Sequence, residues 1–82
     1  MTGDELRDAR RALGEMWGLG RPLHMAELGR ALRLQGRDPG ATIREWETRT
    51  TVSGPVSIAV EYMLDGHPPR DSVSIILTNR SA

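Results

Sequence analysis

Apolar residues recur at every third or fourth position in four stretches of this chain, and a break rich in Gly or Pro follows each stretch. That spacing places apolar side chains along one face of an α-helix, whereas Gly and Pro interrupt helices. The chain has 82 residues, enough for one small domain. The pattern therefore predicts an all-α fold of four short helices. They run from Asp4 to Trp17, from Leu23 or His24 to Leu34, from Pro39 to about Arg49, and from Pro55 to Leu64.

Each predicted helix has one face that we expect to be buried. The inward residues are Leu6, Ala9, Leu13, Met16 and Trp17, then Met25, Leu28, Ala31 and Leu32, then Ile43 and Trp46, and finally Val56, Ala59, Val60, Met63 and Leu64. Glu27, Arg30 and Arg33 are expected on the solvent side of the second helix. The pair Asp38-Pro39 predicts a helix start, because Asp caps free amides and Pro fits the first helical position.

The end of the chain differs in character from the rest. Ser72–Thr78 is β-branched and partly alternating, which predicts one short strand or an extended arm. A single strand has no partner strand in this chain, so it lies on the helices, pairs with a second copy or is disordered. The predicted organisation is a domain at 1–66 followed by a C-terminal arm at 67–82, which is a possible dimerisation strand.

Composition excludes several classes of function. The chain contains no cysteine, which rules out disulfides and cysteine-based zinc sites and fits a reducing cytoplasm. The N-terminus is acidic and polar, unlike a signal peptide, and no apolar stretch approaches the length of a membrane span. No nucleophile–base arrangement or Gly-rich phosphate loop is present. The sequence therefore predicts a cytoplasmic protein that is not an enzyme, with no catalytic residues, metal, cofactor, membrane contact or evident small-molecule substrate.

The charge balance bears on nucleic-acid binding. The net charge is zero, with eleven basic and eleven acidic residues, and this counts against strong non-specific attraction to DNA. All the basic residues are Arg, which suits bidentate contacts with phosphate or guanine. A neutral protein can still bind DNA when its charges are segregated on different faces.

Three short motifs follow one another along the chain. They are Leu6-Arg7 with Arg10, then Ala26-Glu27-Leu28-Gly29-Arg30-Ala31-Leu32, and then Thr42-Ile43-Arg44-Glu45-Trp46-Glu47. Together with Pro55 and the apolar helix after it, they resemble the Cro/phage-repressor (XRE-like) helix-turn-helix family over roughly residues 4–64. The third motif is the most specific, and 35–38 is similar to an inserted turn between the two central helices. The resemblance implies a lambda-repressor-like helix-turn-helix fold.

The resemblance also implies a DNA-contacting surface. In a helix-turn-helix, the second helix of the pair enters the major groove with its N-terminal end, so the side opposite Ile43 and Trp46 is expected to face the bases. Arg44 suits guanine and Glu45 suits cytosine. The other expected members are short residues that permit close approach, Gly40 and Ala41, and residues that suit phosphate, Thr42, Arg37 and Arg49. Amides near the start of this helix are expected to assist with phosphate.

Two functions remain open at this point. The first is a sequence-specific DNA-binding transcriptional regulator, a repressor of phage or prophage type that binds an inverted repeat in double-stranded DNA as a homodimer. The alternative is a phage assembly or packaging protein, or an antitoxin-like interaction protein, that reuses the helix-turn-helix fold. The zero net charge, the inserted turn and the C-terminal segment motivate the alternative. For each charged residue of the third helix, a plain solvated surface is the competing interpretation, because exposed charge is the usual state.

Overall fold

The computed structural model describes residues 1–69 and 73–77, and these residues form five helices. They are α1 (Gly3–Met16), α2 (Met25–Ala31), α3 (Pro39–Glu47), α4 (Gly54–Leu64) and α5 (Val73–Leu77). The described part of the chain contains no strand, which confirms the all-α prediction. None of these five helices is long and apolar enough to cross a membrane.

The secondary structure of the C-terminal segment differs from the prediction. A strand or extended arm was expected at Ser72–Thr78, but Val73–Leu77 form α5. Ile76 is buried, and its carbonyl accepts a hydrogen bond from Arg30 Nε at 2.6 Å. β-propensity depends strongly on context, and burial of Ile76 against α2 overrides the preference of its β-branched neighbours. Residues 70–72 and 78–82 of the predicted arm lie outside the described residues.

The helix starts follow local capping chemistry. The Asp38 carboxylate accepts a hydrogen bond from the Ala41 amide at 3.1 Å, and Pro39 occupies the first turn of α3, which confirms the predicted start. At α1, the Glu5 amide donates to Thr2 Oγ1 at 3.1 Å and the Thr2 amide donates to Glu5 Oε1 at 2.8 Å. These reciprocal bonds satisfy two amides that the helix itself leaves unpaired.

α2 ends at Ala31 rather than at the expected Leu34. The Leu34 amide donates to the Gly29 carbonyl at 2.9 Å, and the Arg33 amide donates to the Arg30 carbonyl at 3.0 Å. This is the Schellman pattern of helix termination. Arg33 adopts a φ of 58° to make it, in a left-handed region that a non-glycine residue enters at some cost. The chain therefore turns away from α2 before the apolar spacing ends.

One core holds the described helices together. Its fully buried larger side chains are Leu6, Leu13, Leu23, Leu28, Ile43, Val60 and Ile76. Met16 was expected in this core but is 48% exposed. α1 ends at that residue, and the following turn packs Trp17 and Leu19 against the core instead.

The position of Glu27 also differs from the prediction. It was expected on the solvent side of α2 but is 4% exposed, because the α1–α2 loop folds over it. Its carboxylate accepts hydrogen bonds from Arg21 at 2.9 and 3.1 Å and from the His24 amide at 2.7 Å. Burial raises the pKa of Glu27, but these hydrogen bonds outweigh it and hold the pKa below its ordinary value. The carboxylate thus ties the loop to the first turn of α2.

A second ion pair joins α1 to the end of α3. Arg10 donates to both oxygens of Glu47, from Nε at 2.8 Å and from an Nη at 3.3 Å, and its other Nη donates to the Leu23 carbonyl at 2.6 Å. The two side chains are only 15% and 7% exposed. One guanidinium therefore connects α1, the α1–α2 loop and α3.

We expect Arg10→Ala to lower the free energy of unfolding by about 3 kcal/mol, because it leaves the Glu47 carboxylate buried without its charged partner. The matched control is Arg7→Ala, which removes an ion pair with Asp4 whose side chains are 55% and 81% exposed. That change should cost less than about 1 kcal/mol. Urea unfolding followed by circular dichroism measures both values. Equal losses would show that the buried pair contributes no more than a surface pair.

The lowered pKa of Glu27 makes a second prediction, about pH. Its ionised form stabilises the fold above the unfolded-state pKa of about 4.3. That contribution is lost as the pH falls through the lower folded-state pKa. We expect Glu27→Gln to be less stable than the wild type at neutral pH and to lose less stability between about pH 5 and pH 3. The measurement is urea unfolding at each pH. Arg21→Gln should also lose less stability than the wild type between about pH 5 and pH 3. Parallel profiles for wild type and Glu27→Gln would contradict the prediction.

Candidate nucleic-acid interface

α2 and α3 cross at a contact built from small residues. A Cβ added to Gly29 would lie 2.6 Å from the Pro39 Cβ and 2.9 Å from the Pro39 carbonyl oxygen. A Cβ added to Gly40 would lie 3.0 Å from the backbone nitrogen of Ala26. Backbones approach this closely only where a side chain is missing. These four residues therefore set the distance between the two helices.

The outward side of α3 carries a continuous exposed stripe. Ala41, Arg44, Glu45 and Thr48 are all exposed, and their spacing places them on one helical face. On the opposite side, Ile43 is fully buried and Trp46 is partly buried against the core. The predicted division of this helix into an inward and an outward side is therefore confirmed, with Trp46 less enclosed than Ile43.

The structure brings some of the predicted DNA-contacting residues together and separates others. Arg37 and Arg49 are exposed at the two flanks of α3, while Thr42 is partly buried at the side of the stripe. Gly40 is buried against Ala26, so it serves the helix crossing and does not lie on the outward face. The exposed group consists of Arg37, Ala41, Arg44, Glu45 and Arg49.

The charges of the outward face are partly paired. Arg49 donates a hydrogen bond to the Glu45 carboxylate, and these side chains are 55% and 62% exposed. An exposed ion pair of this kind contributes at most about 1 kcal/mol, so another partner can displace it. Within residues 1–69 and 73–77, the side chain of Arg44 has no hydrogen-bond or ion-pair partner. Its guanidinium is therefore an available donor in the middle of this face.

The start of α3 is less suited to phosphate than the sequence suggests. The Ala41 amide is engaged by the Asp38 carboxylate, and Pro39 has no amide hydrogen. The Asp38 charge also opposes the approach of an anion. The expected contribution of the amides near 39–41 to phosphate binding therefore finds no support in this geometry.

Two further surface features were not predicted. Thr48 extends the exposed stripe past the Trp-Glu motif, and its hydroxyl donates to the Glu45 carbonyl at 2.6 Å. A cleft of about 310 Å³ at the start of α2 is lined in part by Arg21, His24 and Arg30. Only the tertiary structure assembles this cleft, because the α1–α2 loop folds back onto α2. No spacing in the sequence indicates it.

No metal-binding cluster among the described residues and no similar protein points to another kind of site. Among residues 1–69 and 73–77, no group of three or more His, Asp or Glu side chains could hold a metal ion. Comparisons with family models, with curated proteins and with solved structures give no match for this chain. The geometry of α2 and α3 is therefore the basis for any functional proposal.

We expect Gly29→Ala to destabilise the protein by about 1–3 kcal/mol, the usual range for overpacking, because the added methyl meets Pro39. The matched control is Gly54→Ala in the first turn of α4, where an added Cβ has no neighbour within 4 Å. That variant should cost less than Gly29→Ala, since only the adjacent Pro55 constrains the added Cβ. Thermal unfolding by circular dichroism compares the two variants. Equal melting temperatures would show that the crossing has room for a side chain.

Proposed function

We propose that this protein is a sequence-specific DNA-binding transcriptional regulator that uses α2 and α3 as a lambda-repressor-like helix-turn-helix pair. The observation that carries the proposal is the outward stripe of α3, which presents the partner-free Arg44 while the opposite side of the helix is held against α2 and the core. A rigidly supported helix with one exposed polar face suits insertion into the major groove. This agrees with the family resemblance of the central motifs.

Base recognition is assigned to the middle of the stripe. Arg44 donates to the N7 and O6 acceptors of a guanine, which is the commonest specific contact between an arginine and a base. Glu45 accepts from the amino group of a cytosine once it releases Arg49, and the released guanidinium then binds a phosphate. The short Ala41 side chain permits close approach and contacts a thymine methyl. The Glu45–Arg49 pair thus keeps both side chains near their targets before DNA binds.

Backbone contacts are assigned to the flanks of α3. Arg37 precedes the helix and Arg49 follows it, so they reach phosphates on either side of the groove. Thr42, at the edge of the stripe, adds a hydroxyl. In a helix-turn-helix the first helix of the pair crosses the DNA backbone, and the exposed His24 at the start of α2 is positioned for that contact. Because the net charge is zero, affinity depends on these positioned groups and not on general attraction.

A homodimer on an inverted repeat completes the proposal. One domain of this size offers few base contacts, and two copies on paired half-sites raise both affinity and specificity. Binding over a promoter then excludes transcription, which makes a phage- or prophage-type repressor acting in the cytoplasm the preferred form of the regulator.

The second candidate function is an interaction protein of the phage-assembly or antitoxin-like class. The observation that favours it is the exposed apolar surface of α4, where Ile58 and Tyr62 are 66% and 58% exposed, on a protein without net charge. Light scattering separates the two classes. A ring or larger oligomer, or a co-purified protein bound through 66–82, supports assembly or an antitoxin-like role, whereas a dimer that binds DNA supports the regulator.

The regulator is tested by fluorescence polarisation with labelled DNA from upstream of its own gene. We expect micromolar or tighter binding that weakens as salt increases. Arg44→Ala should reduce affinity by about 10- to 100-fold, as expected for the loss of one bidentate base contact worth about 1–3 kcal/mol. The matched control is Arg11→Ala, an exposed arginine on α1, which should leave affinity unchanged. Absence of salt-sensitive binding, together with equal behaviour of Arg44→Ala and wild type, overturns the proposal.

A further inference from the structure

α4 has apolar side chains on two opposite sides. Its inward side packs Val56, Val60 and Met63 into the core. Its outward side carries Pro55, Ile58, Ala59 and Tyr62, spaced so that they share one helical face. A surface helix of a single domain normally pairs one apolar face with a polar face, as α1 does. The second apolar stripe of α4 therefore points to a second packing partner.

A groove lies directly beside the exposed ridge of Ile58 and Tyr62. It has a volume of about 390 Å³, and its walls include Leu32, Ala59, Met63 and Pro68 as well as Tyr62 itself. The Tyr62 ring stacks on His67 with centroids 3.9 Å apart and an interplanar angle of 11°, which orients the ring at the border between ridge and groove. We call this combined surface, made of the ridge and the groove, the α4 face.

The α4 face is complementary to itself. A two-fold axis parallel to α4 and near Tyr62 would bring each side of the face opposite the other side in the second copy, so the Ile58 ridge of each copy could lie over the groove of the other. Such isologous contacts are the usual basis of homodimers, because each residue pair occurs twice. A ridge and a groove of matched apolar character on one surface therefore fit a second copy of this chain.

The charges at the two borders of the α4 face favour the same occupant. Glu61 lies on the α1 side, where it shares a groove with Glu5 and Asp8. Arg33 lines the opposite border. The rotation brings the acidic border of each copy to the arginine of the other, a complementary arrangement. A partner with one dominant charge matches one border and is repelled by the other.

We propose that the α4 face is the contact between two copies of this chain, and that the exposed Ile75 of α5 lies outside it. The inference deepens the homodimer of the proposed regulator and rests on that proposal for the expectation that two copies act together. None of the residues that form the α4 face lies on α3, so pairing through α4 uses no residue of the outward stripe of α3. A dimer built this way can therefore present both copies of Arg44.

The test compares two isoleucines of equal exposure in sedimentation equilibrium without DNA. Ile58 and Ile75 are 66% and 65% exposed, so Ile58→Asp and Ile75→Asp carry the same chemical change on different helices. We expect wild type and Ile75→Asp to be dimeric, with the dissociation constant of Ile58→Asp raised at least about 30-fold, as for loss of a central interface residue. Thermal unfolding by circular dichroism verifies that both variants fold.

The arrangement of the two copies is tested by charge reversal. Glu61→Arg places like charges opposite Arg33 of the second copy and should weaken the dimer, and the double variant Glu61→Arg, Arg33→Glu should restore it. A double variant no more dimeric than Glu61→Arg overturns the proposed rotation. The single variant Arg33→Glu controls for any loss of stability at that residue.

Three outcomes separate this inference from the proposed function. A monomeric wild type that binds DNA overturns the α4 contact and the homodimer, and leaves the proposed DNA-binding role of α3 standing. A dimeric wild type that binds no DNA, with Ile58→Asp monomeric, overturns the regulator and supports the contact. If Ile75→Asp also dissociates the dimer, or is the variant that does so while Ile58→Asp does not, the interface includes α5. That outcome overturns the proposal as stated.

Discussion

Arg10 joins three parts of the chain through one guanidinium, and the position of α3 depends on it. Its bonds to Glu47 and to the Leu23 carbonyl hold the end of α3 and the α1–α2 loop against α1. At the other end of α3, Pro39 packs so closely on Gly29 of α2 that no side chain fits between them. A buried charged pair specifies geometry because either charge alone is costly to bury. α3 is thus fixed at both ends, and only its outward stripe remains available.

This support explains how a neutral protein can present a binding face. Most ion pairs of the described residues are local, such as Arg21 with Glu27 and Arg49 with Glu45, so these opposite charges offset each other within short segments. Arg44 is the exception on α3. The apolar surface of α4 lies on a separate helix, so the proposed contacts with DNA and with a second copy do not compete. The two proposals therefore concern different faces of one small core, and the dimer contact rests on the regulator only for the expectation that two copies act together.

Local sequence patterns predicted those features that depend on neighbouring residues. The 3.6-residue spacing of apolar side chains located α1 to α4, and Asp38 followed by Pro39 located the start of α3, because capping involves only residues a few positions apart. The predictions for Glu27, Met16 and the Ser72–Thr78 segment were wrong for a common reason. Each depends on contacts with a loop or a distant helix. The spacing of residues along the chain does not indicate those contacts. The candidate site divides in the same way. The outward position of Arg44 and the inward position of Gly40, three residues before Ile43, both follow from periodicity, but the close approach of Ala26 to Gly40 does not.

The sequence by itself determined that this chain forms several amphipathic helices, where most of them begin, and which side of α3 is inward. It could do so because helical periodicity and capping act within one or two turns. Only the tertiary structure decided that Glu27 and Glu47 are buried partners of arginines, that Gly40 serves a helix crossing, and that Val73–Leu77 form a helix. Those outcomes depend on contacts between residues far apart in the chain, such as Arg10 with Glu47 and Arg30 with Ile76. Their burial and hydrogen bonding outweigh the local preference of each segment.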